Sequence, residues 1–244
     1  MMAAQSVVYV IAKAPQPRTC KTRLCPPLST GQAVDLARAF LLDAVEIGRR
    51  SGLAVRVMCR SGSERELLLT LLESDVSVSV QRGRGLGSAL ESAFVEGKAD
   101  GFDVVGVFGA DSPTLHPRIV RSAFAAVEQG TDVALGPSAD GGYYLLVARA
   151  PHPPLFRHMP WGKNNIAQLT LQRCESLRLS TQQLPVWYDV DDWAGLAQLR
   201  EEVARAAPEV ARHTRNQLRL AELEVSRAPA EALSPGRLIP NGAA

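Results

Sequence analysis

Several features that would assign a function directly are missing from this chain of 244 residues. Its four cysteines contain no C-x-x-C pair, so we expect reduced thiols and no zinc site. The apolar run over residues 7–12 is too short to cross a bilayer, and no basic segment precedes it as in a secretory signal. A net charge of +2 is too small to indicate nucleic-acid binding. We therefore expect a cytoplasmic globular protein with no membrane span and no nucleic-acid partner.

Familiar nucleotide-binding and catalytic signatures are also absent or weak. The loop after the first apolar run lacks the glycine spacing of a P-loop. The glycine-rich turn at residues 83–87 resembles part of a dinucleotide fingerprint, but it follows the third predicted strand and no acid is suitably placed downstream. None of the four histidines has a nucleophile nearby in sequence that would indicate a hydrolase.

What the chain does contain is an alternation of apolar, strand-like runs with helical patterns. Strands are predicted at residues 7–12, 53–59, 76–80, 103–108, 131–135 and 143–147, with shorter ones at 177–179 and 186–188. Helices are predicted from residue 29 or 30 onward, then at 63–72 with Ser63 as the cap, 88–98, 117–128, 165–175, 193–206 after an Asp192 cap, and beyond 208.

This alternation predicts an α/β fold, a mainly parallel sheet with helices on both faces. Residues 1–206 are expected to form a single domain, and residues 207–244 a C-terminal helix with a mobile tail. Sheets of this kind bind ligands at the carboxyl ends of their strands. Loops that follow the first, fourth and fifth strands are therefore the candidate site.

The first candidate is a basic loop that directly follows the first strand. Lys13, Arg18, Lys21 and Arg23 place four cations within a dozen residues. Lysine and arginine donate to phosphate oxygens, and arginine does so bidentately. A run of charged residues is ordinarily a solvated loop without a ligand. Because this run directly follows a buried strand, phosphate binding is an equally favoured interpretation.

Carboxylates form the second candidate. Asp111 ends the fourth apolar run, where an acid either coordinates Mg²⁺ or Mn²⁺ or caps the next helix. Asp189 and Asp191 alternate, so an extended backbone puts both on one side, where they can add a metal ligand. Asp140 precedes two glycines and two tyrosines at a sharp bend, where it either accepts a proton from a hydroxyl or only favours the turn.

Taken in order, these motifs resemble a bacterial family of GT-A-fold, nucleotide-diphospho-sugar transferase-like proteins over about residues 6–200. The resemblance rests on Lys13 and Pro15 with residues 21–24, residues 109–113, Gly136 and Pro137 with residues 140–144, Pro160 with Trp161, and residues 189–191. The chain departs from the family pattern at Arg18, where glycine is usual, and at Gly85 and Ala89, where an acid and a base are usual.

The resemblance implies a Rossmann-like sheet of the GT-A type and assigns roles to individual residues. Nucleotide or phosphate contacts fall on Ala12, Lys13, Lys21, Arg23 and Gly87. Asp111 and Asp191 are the implied ligands of Mg²⁺ or Mn²⁺, and Asp140 is the implied catalytic acid–base residue. The sugar or acceptor side is implied to include Gly141, Gly142, Tyr143 and Trp161.

Three functions follow as hypotheses. The first is a metal-dependent glycosyltransferase that moves a sugar from a nucleotide-diphospho-sugar to a small-molecule acceptor. The oligomeric state is left open, and a homodimer is one option. The alternative is a nucleotidyltransferase that releases pyrophosphate from a nucleoside triphosphate, because the basic loop also resembles that of 2-phospholactate guanylyltransferases. The third is a binding protein that keeps the fold without catalysis.

Overall fold

A computed structural model describes residues 5–227, with side chains described as far as residue 220. The strands are β1 (Ser6–Ile11), β2 (Ala54–Cys59), β3 (Ser77–Val80), β4 (Val104–Gly109), β5 (Val133–Pro137), β6 (Tyr143–Ala148) and β7 (Thr181–Gln183). The α-helices are α1 (Thr30–Arg50), α2 (Gly62–Leu71), α3 (Leu86–Ala99), α4 (Pro117–Glu128), α5 (Ile166–Ser176), α6 (Trp193–Arg205) and α7 (Arg212–Arg227). A short 3₁₀ turn at Thr22–Leu24 lies at the end of the basic loop, and another lies at Pro153–Leu155.

The strands form one sheet in the order β3-β2-β1-β4-β6-β5-β7. The β1–β2, β1–β4, β2–β3 and β5–β7 pairs are parallel, whereas β6 is antiparallel to β4 and β5. A connection of only five residues joins β5 to β6, which is too short for a parallel crossover. The predicted α/β, mainly parallel sheet is confirmed, and β6 begins at the edge where β1, β4 and β5 end.

Helices cover both faces of the sheet, as predicted, because β1 alternates its apolar side chains between two cores. Val8 and Val10 pack in a buried cluster with α1, α2 and α4. Val7 and Tyr9 pack on the other face with α3 and α5. A third cluster joins the outer side of α1 to α6 and α7 through side chains that include Phe40 and Leu196. Strands buried on both faces are typical of a sheet of this class.

Helix caps account for several predicted boundaries. Ser29 and Gln32 form a reciprocal capping box at the start of α1, and the Asp192 carboxylate accepts from the Gly195 N–H at the start of α6. The predicted Ser63 cap is wrong: Ser61 accepts from Glu64 N–H, and α2 starts at Gly62. Helix α3 starts at Leu86, two residues before its predicted first residue.

The region after α5 differs from the prediction. Residues 177–179 are not a strand, because Leu177 still donates to Arg173 O and closes α5. The strand lies instead at β7, an exposed Thr-Gln-Gln segment that pairs with β5. Residues 186–188 make only an isolated bridge, between Trp187 and Ser138.

The C-terminal helix α7 is anchored to α1 by a buried acid. The Asp43 carboxylate accepts backbone hydrogen bonds from His213 at 3.0 Å and Thr214 at 2.9 Å, which satisfies the start of α7. Burial raises the pKa of Asp43. The predicted division at residue 206 stays a prediction. The tail was predicted from Arg227 onward; Arg227 is the last residue of α7, and the rest of the predicted tail lies outside the described residues. Across residues 5–227, no helix combines the length and apolar character that a bilayer crossing requires.

Candidate functional site

The candidate site lies at the edge of the sheet where β1, β4 and β5 end and β6 begins. The loops at residues 12–21, 110–116 and 138–142 leave this edge. A fourth segment crosses it: Trp187 pairs with Pro137 and Ala139, and Val190 N–H donates to Asp111 O at 2.8 Å. These backbone hydrogen bonds carry the acids of residues 189–191 from the end of β5 to the end of β4.

Lys21 joins two of the predicted metal-binding acids. Its Nζ lies 2.5 Å from Asp111 Oδ1 and 3.1 Å from Asp191 Oδ1, and donates to Val190 O at 2.7 Å. The Lys21 side chain is only 6% exposed, whereas those of Asp111 and Asp191 are 48% and 52% exposed. Burial acts to lower the pKa of Lys21, but the two carboxylates outweigh it and raise the pKa above its usual value. The ammonium therefore stays charged.

Asp189 lies beside this ion pair and is hydrogen-bonded to the end of β4. The buried Ser112 hydroxyl has a single O–H donor, which lies within hydrogen-bond distance of both Asp189 Oδ1 (2.7 Å) and Tyr188 O (2.9 Å). Burial raises the pKa of Asp189 to about 6; the Ser112 hydrogen bond opposes this shift, and the negative charges of three further acids, Asp111, Asp140 and Asp191, add to it. The charges of these three acids therefore act on Asp189 at one end of the sheet.

The turn that carries Asp140 is held in place by hydrogen bonds within the turn and by close packing of Gly141 against the Asn164 backbone. Asp140 Oδ1 accepts from Gly142 N–H at 2.8 Å and from the Ser138 hydroxyl at 2.5 Å. Gly141 has a φ of +89°, and a Cβ there would lie 1.8 Å from Asn164 O. Only glycine fits such a close approach. The Asp140 side chain is thus exposed at a fixed bend.

A second group of predicted residues packs around Trp161. A Cβ on Gly87 would lie 2.6 Å from Trp161 Nε1, and the Trp161 and Tyr143 rings meet edge-on with centroids 6.3 Å apart. The Tyr143 hydroxyl is buried, has no hydrogen-bond partner among the described residues, and burial raises its pKa. Tyr144 points to the other face of the sheet and donates to Pro185 O, so the two adjacent tyrosines of β6 pack in different cores.

The remaining predicted nucleotide contacts lie on the basic loop. Ala12 is buried and its N–H donates to Met58 O. Lys13 and Arg23 are exposed, and neither forms an ion pair with another residue of the described chain. Arg18, at the position where the resembled family usually has glycine, has a φ of 61°, in the left-handed region that favours glycine.

Two residues that stabilise the site were not among the predicted contacts. Ser112 stands inside the motif at residues 109–113, so its position next to Asp111 was an available signal. Asn164, whose backbone closes on Gly141, follows the Trp161 motif but has no pattern of its own. Both act through neighbours that are distant in sequence.

The fit of a divalent cation depends on two carboxylates. Among the described residues, no group of three or more His, Cys, Asp or Glu side chains is arranged to hold a metal. Mg²⁺ is commonly bound by one or two carboxylates, with substrate phosphates and waters completing its shell. Asp111 and Asp191 supply such a half-exposed oxygen pair, and the Lys21 ammonium shows that the position between them accepts a cation. The donor set therefore fits Mg²⁺ or Mn²⁺ bound together with a phosphorylated ligand.

A comparison with models of protein families finds a match for this chain. A family described as "Uncharacterized protein conserved in bacteria (DUF2064)" matches residues 42–163. The chain belongs to this family. The comparison with curated proteins finds no match.

Solved structures share most of this fold. A protein from Desulfovibrio desulfuricans G20, provisionally named a nucleotide-diphospho-sugar transferase, is 27% identical with a TM-score of 0.82, and the match covers 92% of this chain and 98% of that one. A CMP:2-keto-3-deoxy-manno-octonic acid synthetase in complex with CTP is 12% identical, with a TM-score of 0.55 over 83% of this chain and 99% of that one. A cytidylyltransferase from Leptospira borgpetersenii is 12% identical, with a TM-score of 0.52 over 93% and 96%. The chain therefore has the α/β fold of nucleotide-diphospho-sugar transferases, which nucleotidyltransferases share.

Proposed function

We propose that the protein is a metal-dependent glycosyltransferase that moves a sugar from a nucleotide-diphospho-sugar to a small-molecule acceptor. The observation that carries the proposal is the contact of Lys21 with Asp111 and Asp191 at the carboxyl ends of the strands. The similarity to the protein from Desulfovibrio desulfuricans G20 supports the transferase class. Its cytoplasmic location stays a prediction.

The phosphate end of the donor would lie between the acids and the basic loop. Asp111 and Asp191 would hold Mg²⁺ or Mn²⁺, which supplies positive charge to the departing diphosphate. The exposed side chains of Lys13 and Arg23 donate to the same phosphate oxygens. Ala12 and Gly87 are assigned further contacts to the nucleotide in this proposal; Gly87 packs against Trp161, and the Ala12 N–H donates to Met58 O. Positive groups at the place where negative charge develops stabilise the transition state and lower the barrier.

The acceptor end is assigned to the turn at residues 138–142. Asp140 Oδ1 is engaged by Ser138 and Gly142, whereas its Oδ2 accepts no hydrogen bond from any described residue. This oxygen takes the proton of the acceptor hydroxyl while that hydroxyl oxygen bonds to the anomeric carbon. The bond from the anomeric carbon to the diphosphate oxygen breaks, and the nucleoside diphosphate leaves. The backbone of Gly141 and Gly142 and the rings of Tyr143 and Trp161 line the sugar side.

The nucleotidyltransferase alternative uses the same residues but breaks a different bond. An acceptor phosphate would attack the α-phosphate of a nucleoside triphosphate, and pyrophosphate would leave. The basic loop and a fold shared with nucleotidyltransferases support this second candidate. The products therefore discriminate the two reactions.

The test is a product assay with a matched pair of variants. UDP-, GDP-, CDP- and dTDP-sugars are each incubated with Mn²⁺ and a panel of small hydroxylated acceptors, and nucleoside diphosphate release is measured. Nucleoside triphosphates with phosphorylated acceptors are assayed in parallel for pyrophosphate. We expect diphosphate release that falls about 100-fold or more in Asp140→Asn, because the general base is lost, and persists in Asp192→Asn, which retains a helix cap. Pyrophosphate release alone would favour the alternative.

A further inference from the structure

Lys21 has no donor left for a phosphate. An ammonium group has three N–H donors. In this structure they are directed to Asp111 Oδ1, Asp191 Oδ1 and Val190 O, at 2.5, 3.1 and 2.7 Å. The side chain is 6% exposed and its Nζ also lies 5.1 Å from the centroid of the Phe40 ring. The cation between the two acids is therefore supplied by the chain itself.

A divalent cation that binds this pair of acids competes with that ammonium. Both carboxylates use Oδ1 for Lys21, and a metal ion on the remaining oxygens would place two positive groups side by side. Like charges at this separation repel strongly in a partly buried site. The carboxylates of Asp111 and Asp191 are half exposed, so a hydrated metal ion can reach them from solvent. The buried Lys21 side chain contacts them from the protein interior and would move away as the metal binds.

The displaced ammonium needs a new anion, because an unpaired charge is unfavourable in a buried position. Lysine carries its charge on a flexible four-carbon stem. A diphosphate bound to the same metal would present negatively charged oxygens to the displaced ammonium. The diphosphate of the nucleotide would thus replace the two carboxylates as the negatively charged partner of Lys21.

We propose that Lys21 is an exchangeable internal counter-ion. It holds Asp111 and Asp191 together in the free protein, yields them to the divalent cation, and moves onto the diphosphate. Metal and nucleotide then bind with positive coupling, and by linkage each tightens the other by the same factor. This inference rests on the metal site of the proposed function.

The direct test is the affinity for Mn²⁺ alone, measured by electron paramagnetic resonance or calorimetry. Lys21→Met keeps the apolar stem beside Phe40 and removes the charge. Lys21→Gln also removes the charge but retains an amide donor, and it serves if the methionine variant is unstable. We expect Mn²⁺ to bind both variants about tenfold tighter than wild type, within the usual range of coupling between sites. We also expect UDP or GDP to tighten Mn²⁺ binding in wild type much more than in the variants.

Arg18→Met is the matched control. It removes one positive charge from the same loop, and Arg18 has no ion pair with any described residue. If the general charge of the loop sets metal affinity, Arg18→Met will tighten Mn²⁺ binding as much as Lys21→Met does, and the exchange is contradicted. If Lys21 acts through its contact with the acids, Arg18→Met will resemble wild type.

A second readout uses the unmodified chain. Amine acylation followed by mass spectrometry reports the accessibility of each lysine. Lys21 should be protected in the free protein relative to the exposed Lys163, and saturating Mg²⁺ without nucleotide should raise its labelling severalfold. Labelling of Lys21 that Mg²⁺ leaves unchanged would contradict its displacement.

The outcomes separate this inference from the proposed function. If Asp111→Asn abolishes Mn²⁺ binding but both Lys21 variants bind Mn²⁺ as wild type does, the exchange is wrong and the metal site stands. If wild type and both Lys21 variants bind no Mn²⁺, even with UDP or GDP present, both the exchange and the metal-dependent reaction are contradicted.

Discussion

The Ser112 hydroxyl lies 2.7 Å from Asp189 Oδ1 and joins the end of β4 to the segment that carries Asp191. The two residues are 77 positions apart in sequence. Together with the hydrogen bond from Val190 N–H to Asp111 O, this contact sets the separation of Asp111 and Asp191. The spacing of the two proposed metal ligands therefore depends on a residue that touches neither the metal nor the substrate.

Ser112→Ala should lower both stability and metal affinity. The change removes a donor to a partly buried carboxylate, which typically costs about 1–3 kcal/mol. Urea unfolding should show this loss, and Mn²⁺ binding should weaken severalfold because the spacing of the acids relaxes. Ser122→Ala is the control: its hydroxyl bonds only to Ile119 O on an exposed part of α4. Equal effects in the two variants would contradict the role given to Ser112.

Asp189 should make the metal-free protein less stable as the pH rises. Its pKa is raised to about 6 by burial and by neighbouring acids, whereas an unfolded aspartate titrates near ~3.9. Between these values the folded state binds more protons than the unfolded state, so stability falls as pH rises through 6. Asp189→Asn removes this loss. In EDTA, the unfolding free energy of the variant minus that of wild type should increase by up to about 3 kcal/mol between pH 4 and pH 7. Parallel curves for the two proteins would contradict this assignment.

Gly141→Ala should destabilise the turn that carries Asp140 more than its backbone angle alone requires. The added Cβ would lie 1.8 Å from Asn164 O, so the turn or the start of α5 must move. Gly101→Ala is a matched control, with a φ of +88° and no atom within 4 Å of the added Cβ. We expect a loss of about 1 kcal/mol for Gly101→Ala, from conformation alone, and a loss of more than about 2 kcal/mol for Gly141→Ala, from strain and clash together. Thermal and urea unfolding measure both, and similar losses would show that the clash relaxes freely.

The strands and helices with strong apolar periodicity were predictable from sequence. Val7 to Val10 alternate between two cores, and the resulting β1 lies where the pattern places it. β7 was not predictable, because Thr-Gln-Gln carries no apolar signal and becomes a strand only by pairing with β5. The Ser63 cap was wrong because Ser61 offers the same hydroxyl two residues earlier, and local sequence does not choose between them.

The location of the site was predictable from the sequence, but the contacts between its residues were less so. Asp111 and Lys21 both follow buried parallel strands, so their convergence follows from the sheet itself. The burial of Lys21 between two acids does not, because it joins residues 170 positions apart and depends on a left-handed backbone at Lys21. A sequence-based assignment of Lys21 to phosphate binding therefore missed the partners that it has in the free protein.

In the proposed reaction, Asp111 holds a divalent cation that binds together with a nucleoside diphosphate. The most direct test is calorimetric titration of UDP and GDP, with Mn²⁺ and with EDTA, into wild type, Asp111→Asn and Asp192→Asn. We expect Mn²⁺ to tighten nucleotide binding at least tenfold in wild type and Asp192→Asn, and to have no effect in Asp111→Asn. Nucleotide binding that is equally tight with EDTA, or a Mn²⁺ effect that survives in Asp111→Asn, would contradict the role given to Asp111.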